Sequence, residues 1–164
     1  MQKFKIFFKK HWFNLVLFVF LGVIILPNAW FNFSQEGQTI DPQTYQVLGE
    51  ENTIELPNNQ RVMLLFWATW CGPCHIEMDR LKQSVETGKI RKEQIFALSP
   101  FENEREVKQF LEKSPYPFRF LIGQSPLVIK QTPTTVLLDG NKIHSMKSGM
   151  SLIGIFLAEK FLNN

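Results

Sequence analysis

From Trp12 to Phe31 the chain is apolar apart from Asn14, Gly22, Pro27 and Asn28. Twenty residues of helix, at about 1.5 Å each, cover roughly 30 Å, the thickness of a bilayer's hydrocarbon core. The pattern predicts one transmembrane helix over 12–31. Trp12 and Trp30 stand at its two ends, where indole favours the membrane interface. Lys3, Lys5, Lys9 and Lys10 lie on one side only, which makes 1–11 a basic cytoplasmic tail and places everything after residue 31 outside. A cleaved secretory signal is the rival reading, although Pro27-Asn28-Ala29 is a poor cleavage site; either way the rest is exported.

After the apolar stretch the periods change. Residues 32–44 are polar, with Gly37 and Pro42, and read as a linker. Tyr45–Leu48 and Thr53–Leu56, turning at Gly49, read as a hairpin that opens a domain over 45–164. Within Arg61–Phe66 the run Val62 to Phe66 is continuously apolar, as in a strand covered on both faces. Cys74, Met78, Leu81 and Val85 then recur at helical spacing, with Gly88 as the stop. Ile95–Leu98 is a second buried strand, and Asn103 with Glu106 three residues on marks a helix start, ended at Ser114-Pro115. Phe118–Ile122 predicts a strand and Ser125–Lys130 a short helix. Thr134–Leu138 predicts a strand turning at Asp139-Gly140 into Lys142–Met146, and Leu152–Leu162 a terminal helix. Alternating elements closed by a hairpin and a helix imply an α/β domain, a mixed central sheet with helices on both faces.

Charge narrows the function classes. The formal charge is +3, but four lysines fall in the tail, leaving 14 Lys+Arg against 15 Asp+Glu in the body. A near-neutral body without a basic stripe lacks the footprint of nucleic-acid binding. Two cysteines are too few for a disulfide scaffold or a four-cysteine zinc site, so they act as a pair.

Cys71-Gly72-Pro73-Cys74 falls where a buried strand gives way to a helix. Pro73 is tolerated there because first-turn amides lack intrahelical acceptors. Unpaired N–H groups and the helix dipole favour negative charge, so the pKa of an exposed Cys71 should fall from about 8.5 toward 7. Cys71 is the expected nucleophile, and Cys74, one turn on, can attack the same sulfur and resolve a mixed disulfide.

Phe66-Trp67-Ala68-Thr69-Trp70-Cys71-Gly72-Pro73-Cys74 resembles the thioredoxin-superfamily active site, and Thr132-Pro133-Thr134-Thr135 resembles the segment with that family's cis-proline. The 58 residues between Cys74 and Pro133 leave room for the extra strand and helix of membrane-anchored TlpA-, ResA- and DsbE-like reductases. The resemblance implies a thioredoxin-like fold. It also implies a redox-active Cys71–Cys74 disulfide with no other cofactor, and a Thr132 backbone that takes up an extended substrate by strand addition. Trp70 would form an apolar platform beside the sulfur, with Gly72 and Pro73 in the substrate-facing loop; simple core packing is the alternative for Trp70 and the expected fate of Trp67. Glu77 occupies the position of that group's acid near the dithiol, where it could exchange a proton with Cys74, or else be only a solvated acid near a helix start. Thioredoxin's buried aspartate is replaced by Leu65, so either Glu77 or solvent serves as base.

The reading is thus a membrane-anchored thiol–disulfide oxidoreductase in the periplasm or outside the cell. Its Gly-Pro spacer resembles reducing members. Its expected partners are extracytoplasmic protein disulfides and a membrane electron donor of the DsbD or CcdA type. An oxidase or isomerase of the same fold is the alternative. Gln131-Thr132-Pro133-Thr134 lacks the Gly and Glu of the DsbE-like cytochrome c maturation branch. Cys71-x-x-Cys74-His75 also satisfies the c-type haem motif, with His75 proximal and Met146 or Met150 distal; haem would leave the Gly-Pro spacer and the Thr-Pro-Thr segment unexplained. A copper or zinc site at Cys71, Cys74 and His75 would lack a fourth ligand. Otherwise His75 is a surface group whose imidazolium could lower the Cys71 pKa.

Overall fold

The structure, a computed structural model, describes residues 2–151 and 153–164. The chain divides into two compact units at residues 34 and 35. The first is one helix, α1 (Gln2–Gln35). Its stretch Asn14–Gln35 has a mean hydropathy of 2.1, with none of the described residues in its most apolar window buried, and is long and apolar enough to cross a membrane. The helix runs past the predicted 12–31 at both ends. Pro27 sits inside it.

The second unit is built on a seven-stranded sheet in the order β2-β1-β5-β4-β3-β6-β7. Its strands are β1 (Gln43–Val47), β2 (Thr53–Leu56), β3 (Arg61–Phe66), β4 (Ile95–Leu98), β5 (Arg119–Ile122), β6 (Thr134–Asp139) and β7 (Lys142–Ser148). The helices are α2 (Gly72–Glu86), α3 (Glu104–Lys113) and α4 (Gly154–Leu162). The sheet is mixed: β3 runs parallel to β4 and β4 to β5, whereas β6 lies antiparallel to β3. Parallel neighbours need a crossover, and α2 and α3 supply the two. Residues 37–40 do not run free as a linker, because Thr39 bridges Lys142 and Ile40 N–H donates to Asn141 O at 2.8 Å.

Each element forms for a local reason. Val62 to Phe66 are all 2% exposed or less, so the continuous apolar run is a strand buried on both faces. The β6–β7 turn places Gly140 at φ 59, which suits the first central position of a tight hairpin. Asn103 caps α3 reciprocally: its side chain accepts from Glu106 N–H, and the Glu106 carboxylate accepts from Asn103 N–H. Gly88 just past α2 adopts φ 70, as a helix stop requires.

One expected element is absent. Residues 125–130 form no helix; instead Ser125 Oγ donates to Leu127 O and accepts from Leu127 N–H. A side chain that bonds its neighbour's backbone competes with the helical ladder, and six residues are too few to offset the cost of nucleation. The predicted start of the last helix, Leu152, lies outside the described residues.

Met63, Leu65 and Trp67 on one sheet face pack with Cys74, Met78 and Leu81 of α2, Val107 of α3, and Ile155, Ala158 and Phe161 of α4. This cluster supports the dithiol from below.

Candidate active site

β3 ends at Phe66, and the chain turns through Trp67–Trp70 into the first turn of α2. Trp67 is fully buried against Phe110 and Phe120, each with ring centroids 5.3 Å away, and so anchors the loop in the core. Trp70 points the other way and is 70% exposed. Its two expected fates are thereby separated: Trp67 is core and Trp70 is surface.

Cys71 is the N-cap of α2, and its Sγ accepts from Cys74 N–H at 3.3 Å. An N-cap sulfur faces the unpaired amides and positive dipole end of the helix, which stabilises a thiolate there. The two sulfurs are joined in a disulfide of 2.04 Å. In this oxidised form Cys71 is only 4% exposed and Cys74 is fully buried, so Cys71 is less open than expected, while Gly72 and Pro73 stand exposed beside it.

Thr132-Pro133 is a cis peptide. The register pairs Phe66 with Thr134, so Pro133 lies at the sheet end from which α2 departs. Pro133 is buried and its carbonyl accepts from Gly149 N–H at 2.7 Å. Half-buried Thr132 precedes it at that edge.

Glu77 is not a solvated acid. It lies on the inward face of α2 with Cys74 and Met78, 3% exposed. Burial pushes its carboxyl above the usual range, against the charge and hydrogen bond of Arg80, whose Nη1 is 3.2 Å away. The same Nη1 donates to Ser151 O at 2.8 Å. Glu77 thus shares the buried face of α2 with Cys74, three residues away. Leu65 is fully buried.

His75 turns its ring to Phe110 and to the loop that leads into the dithiol. Its ring stacks on Phe110 at 4.8 Å and its Nε2 lies 3.0 Å from Thr69 O. Met146 is buried in β7, and Met150 is exposed beyond it. Among the described residues no group of three His, Cys, Asp or Glu is placed to hold a metal ion.

Two sets of contacts had no signal in the sequence. Glu102, after β4, accepts from Thr69 and Ser99, and Arg80 ties α2 to Ser151. Neither pair has a spacing or motif that could have revealed it; each joins segments at least 30 residues apart except for the local Ser99 contact.

The thioredoxin-like protein YneN of Bacillus subtilis is 30% identical over 112 residues, 64% of this chain and 66% of that protein. The thiol-disulfide oxidoreductase ResA of Geobacillus kaustophilus is 30% identical over 98 residues, 57% of this chain and 56% of that protein. The matches span less than two thirds of either relative. StoA of Bacillus subtilis superposes with a TM-score of 0.59 at 19% identity, covering 74% of this chain and 98% of that one, a likeness of thioredoxin-like fold. The AhpC/TSA family matches residues 32–142, the span that holds the dithiol and the cis-proline, and the chain belongs to that family.

Proposed function

We propose that the chain is a membrane-anchored thiol–disulfide oxidoreductase that reduces disulfides of proteins outside the cytoplasm. The observation that carries this reading is the Cys71–Cys74 pair at the N-terminus of α2, beside exposed Trp70 and at the same sheet end as cis Pro133. In the reduced protein, the Cys71 thiolate attacks one sulfur of a substrate disulfide. A Cys71–substrate bond forms, the substrate S–S bond breaks, and the departing thiolate takes a proton. Cys74 gives its proton to Glu77 or to water and attacks Cys71 Sγ. The second substrate thiol leaves, and two electrons have passed from the dithiol to the substrate. The Thr132 backbone holds an extended substrate strand during the exchange.

Return to the dithiol needs two electrons. Outside the cytoplasm a membrane donor of the DsbD or CcdA type is the chemistry that fits, with α1 keeping the domain at the membrane. The similarity to proteins named thiol-disulfide oxidoreductase ResA supports the reaction, and the apolar length of α1 supports the anchored placement.

Equilibration with glutathione redox buffers tests the direction. A reductase should hold a potential near that of thioredoxin, about −270 mV; a value near −120 mV, with the pair oxidised in cells, would make the protein an oxidase.

A further inference from the structure

Thr69, two residues before Cys71, has all its polar groups engaged. Its N–H donates to Glu102 Oε2 at 2.8 Å, its hydroxyl donates to Glu102 Oε1, and its carbonyl lies 3.0 Å from His75 Nε2. Glu102 comes from the segment after β4, and a third donor, Ser99 Oγ, reaches its Oε2 at 2.8 Å. Ser99 is buried, and the Glu102 carboxylate is half-buried. Charge-assisted bonds of this kind are about twice as strong as neutral ones and directional. The next residues outward on the two segments are Trp70 and Phe101. Both are exposed, at 70% and 49%, with ring centroids 6.4 Å apart.

We propose that Glu102 is a positioning residue. Through Thr69 it fixes the peptide that carries Trp70, and so keeps the Trp70–Phe101 aromatic surface at the rim of the dithiol, where it meets apolar side chains flanking a disulfide in a polypeptide. The inference rests on the oxidoreductase reading and deepens it. An exposed indole would otherwise sample several rotamers, and ordering it in advance lowers the entropy cost of binding. Glu102 touches neither sulfur, so the exchange chemistry at Cys71 does not depend on it. Geometry rather than charge is required: a glutamine can accept Thr69 N–H with its carbonyl while its amide donates to the Thr69 hydroxyl.

The test uses the full chain in detergent, reduced beforehand, in single-turnover reactions with insulin and with oxidised glutathione. Glu102→Ala should raise the half-saturating insulin concentration by about fivefold, the size expected when one side chain must be immobilised on binding instead of beforehand. Its rate with oxidised glutathione should stay within about twofold of the parent. Glu102→Gln should restore insulin saturation. The Trp70 contribution to fluorescence anisotropy, isolated by comparison with Trp70→Phe in each background, should fall in the alanine variant and recover in the glutamine variant. Unchanged insulin saturation or anisotropy in Glu102→Ala would overturn the proposal. An equal loss on glutathione would also overturn it, by placing the effect on Cys71 or the fold. A glutamine variant as poor as alanine would make charge the cause and refute the geometric role. If the parent reduces neither substrate, the oxidoreductase reading itself falls and takes this inference with it.

Discussion

Glu77→Gln separates a buried acid from a surface one. In the native structure this carboxyl is 3% exposed and 3.2 Å from Arg80 Nη1, and burial outweighs the guanidinium, so its proton is held to higher pH than in the unfolded chain. Between the unfolded and folded pKa values the native state therefore binds more protons than the unfolded one. Stability falls as pH rises through that window and stays lower above it. A glutamine has the same shape, accepts the Arg80 bond and never ionises. The variant loses the ionic attraction to Arg80, but that side chain is 32% exposed and also donates to Ser151 O, which limits the loss to about 0–1 kcal/mol. Burial penalises the ionised form more than Arg80 favours it, so Glu77→Gln should be more stable than the parent at pH 7. The gap should close below the ordinary carboxylate range, where both proteins are neutral at this position. Urea unfolding of the oxidised proteins across a pH series is the assay. A gap that is constant with pH, or a variant less stable than the parent at pH 7, would refute the assignment of Glu77 as a carboxyl raised by burial.

Met78→Ala empties a fully buried site in the cluster under the dithiol, and chemical denaturation should show a loss of about 2–5 kcal/mol. Asn103→Ala removes the capping box of α3 and should cost about 1 kcal/mol, read by the same method, with little effect on thiol exchange. Trp70→Ala should weaken saturation by a polypeptide disulfide while leaving the melting temperature within about 2 °C, because its side chain is mostly exposed; a large loss of stability would put the indole in the core.

Strands β3 and β4 were legible because a continuous apolar run has few other solutions in a chain this short. Their observed bounds, Arg61–Phe66 and Ile95–Leu98, coincide with the runs. The start of α3 was legible because Asn103 and Glu106 satisfy each other's backbone locally. The dithiol was legible because its chemistry depends on a spacing of three residues and a helix start, both written in adjacent positions. Local competition defeated the expected helix at 125–130, where one hydroxyl turns the chain. Tertiary geometry decided the rest. No periodicity says that Glu102 will meet Thr69, that Arg80 will reach Ser151, or that His75 Nε2 will meet Thr69 O. The sequence left Glu77 open between proton carrier and solvated acid; its burial is a property of how α2 sits on the cluster.

The division of labour between the two sulfurs is tested most directly by mixing reduced Cys74→Ser with an oxidised polypeptide and mapping the products by mass spectrometry. A stable adduct through Cys71, absent from the matching Cys71→Ser protein, is the predicted result. No adduct with Cys74→Ser, or equal capture by Cys71→Ser, would contradict attack by Cys71 and resolution by Cys74.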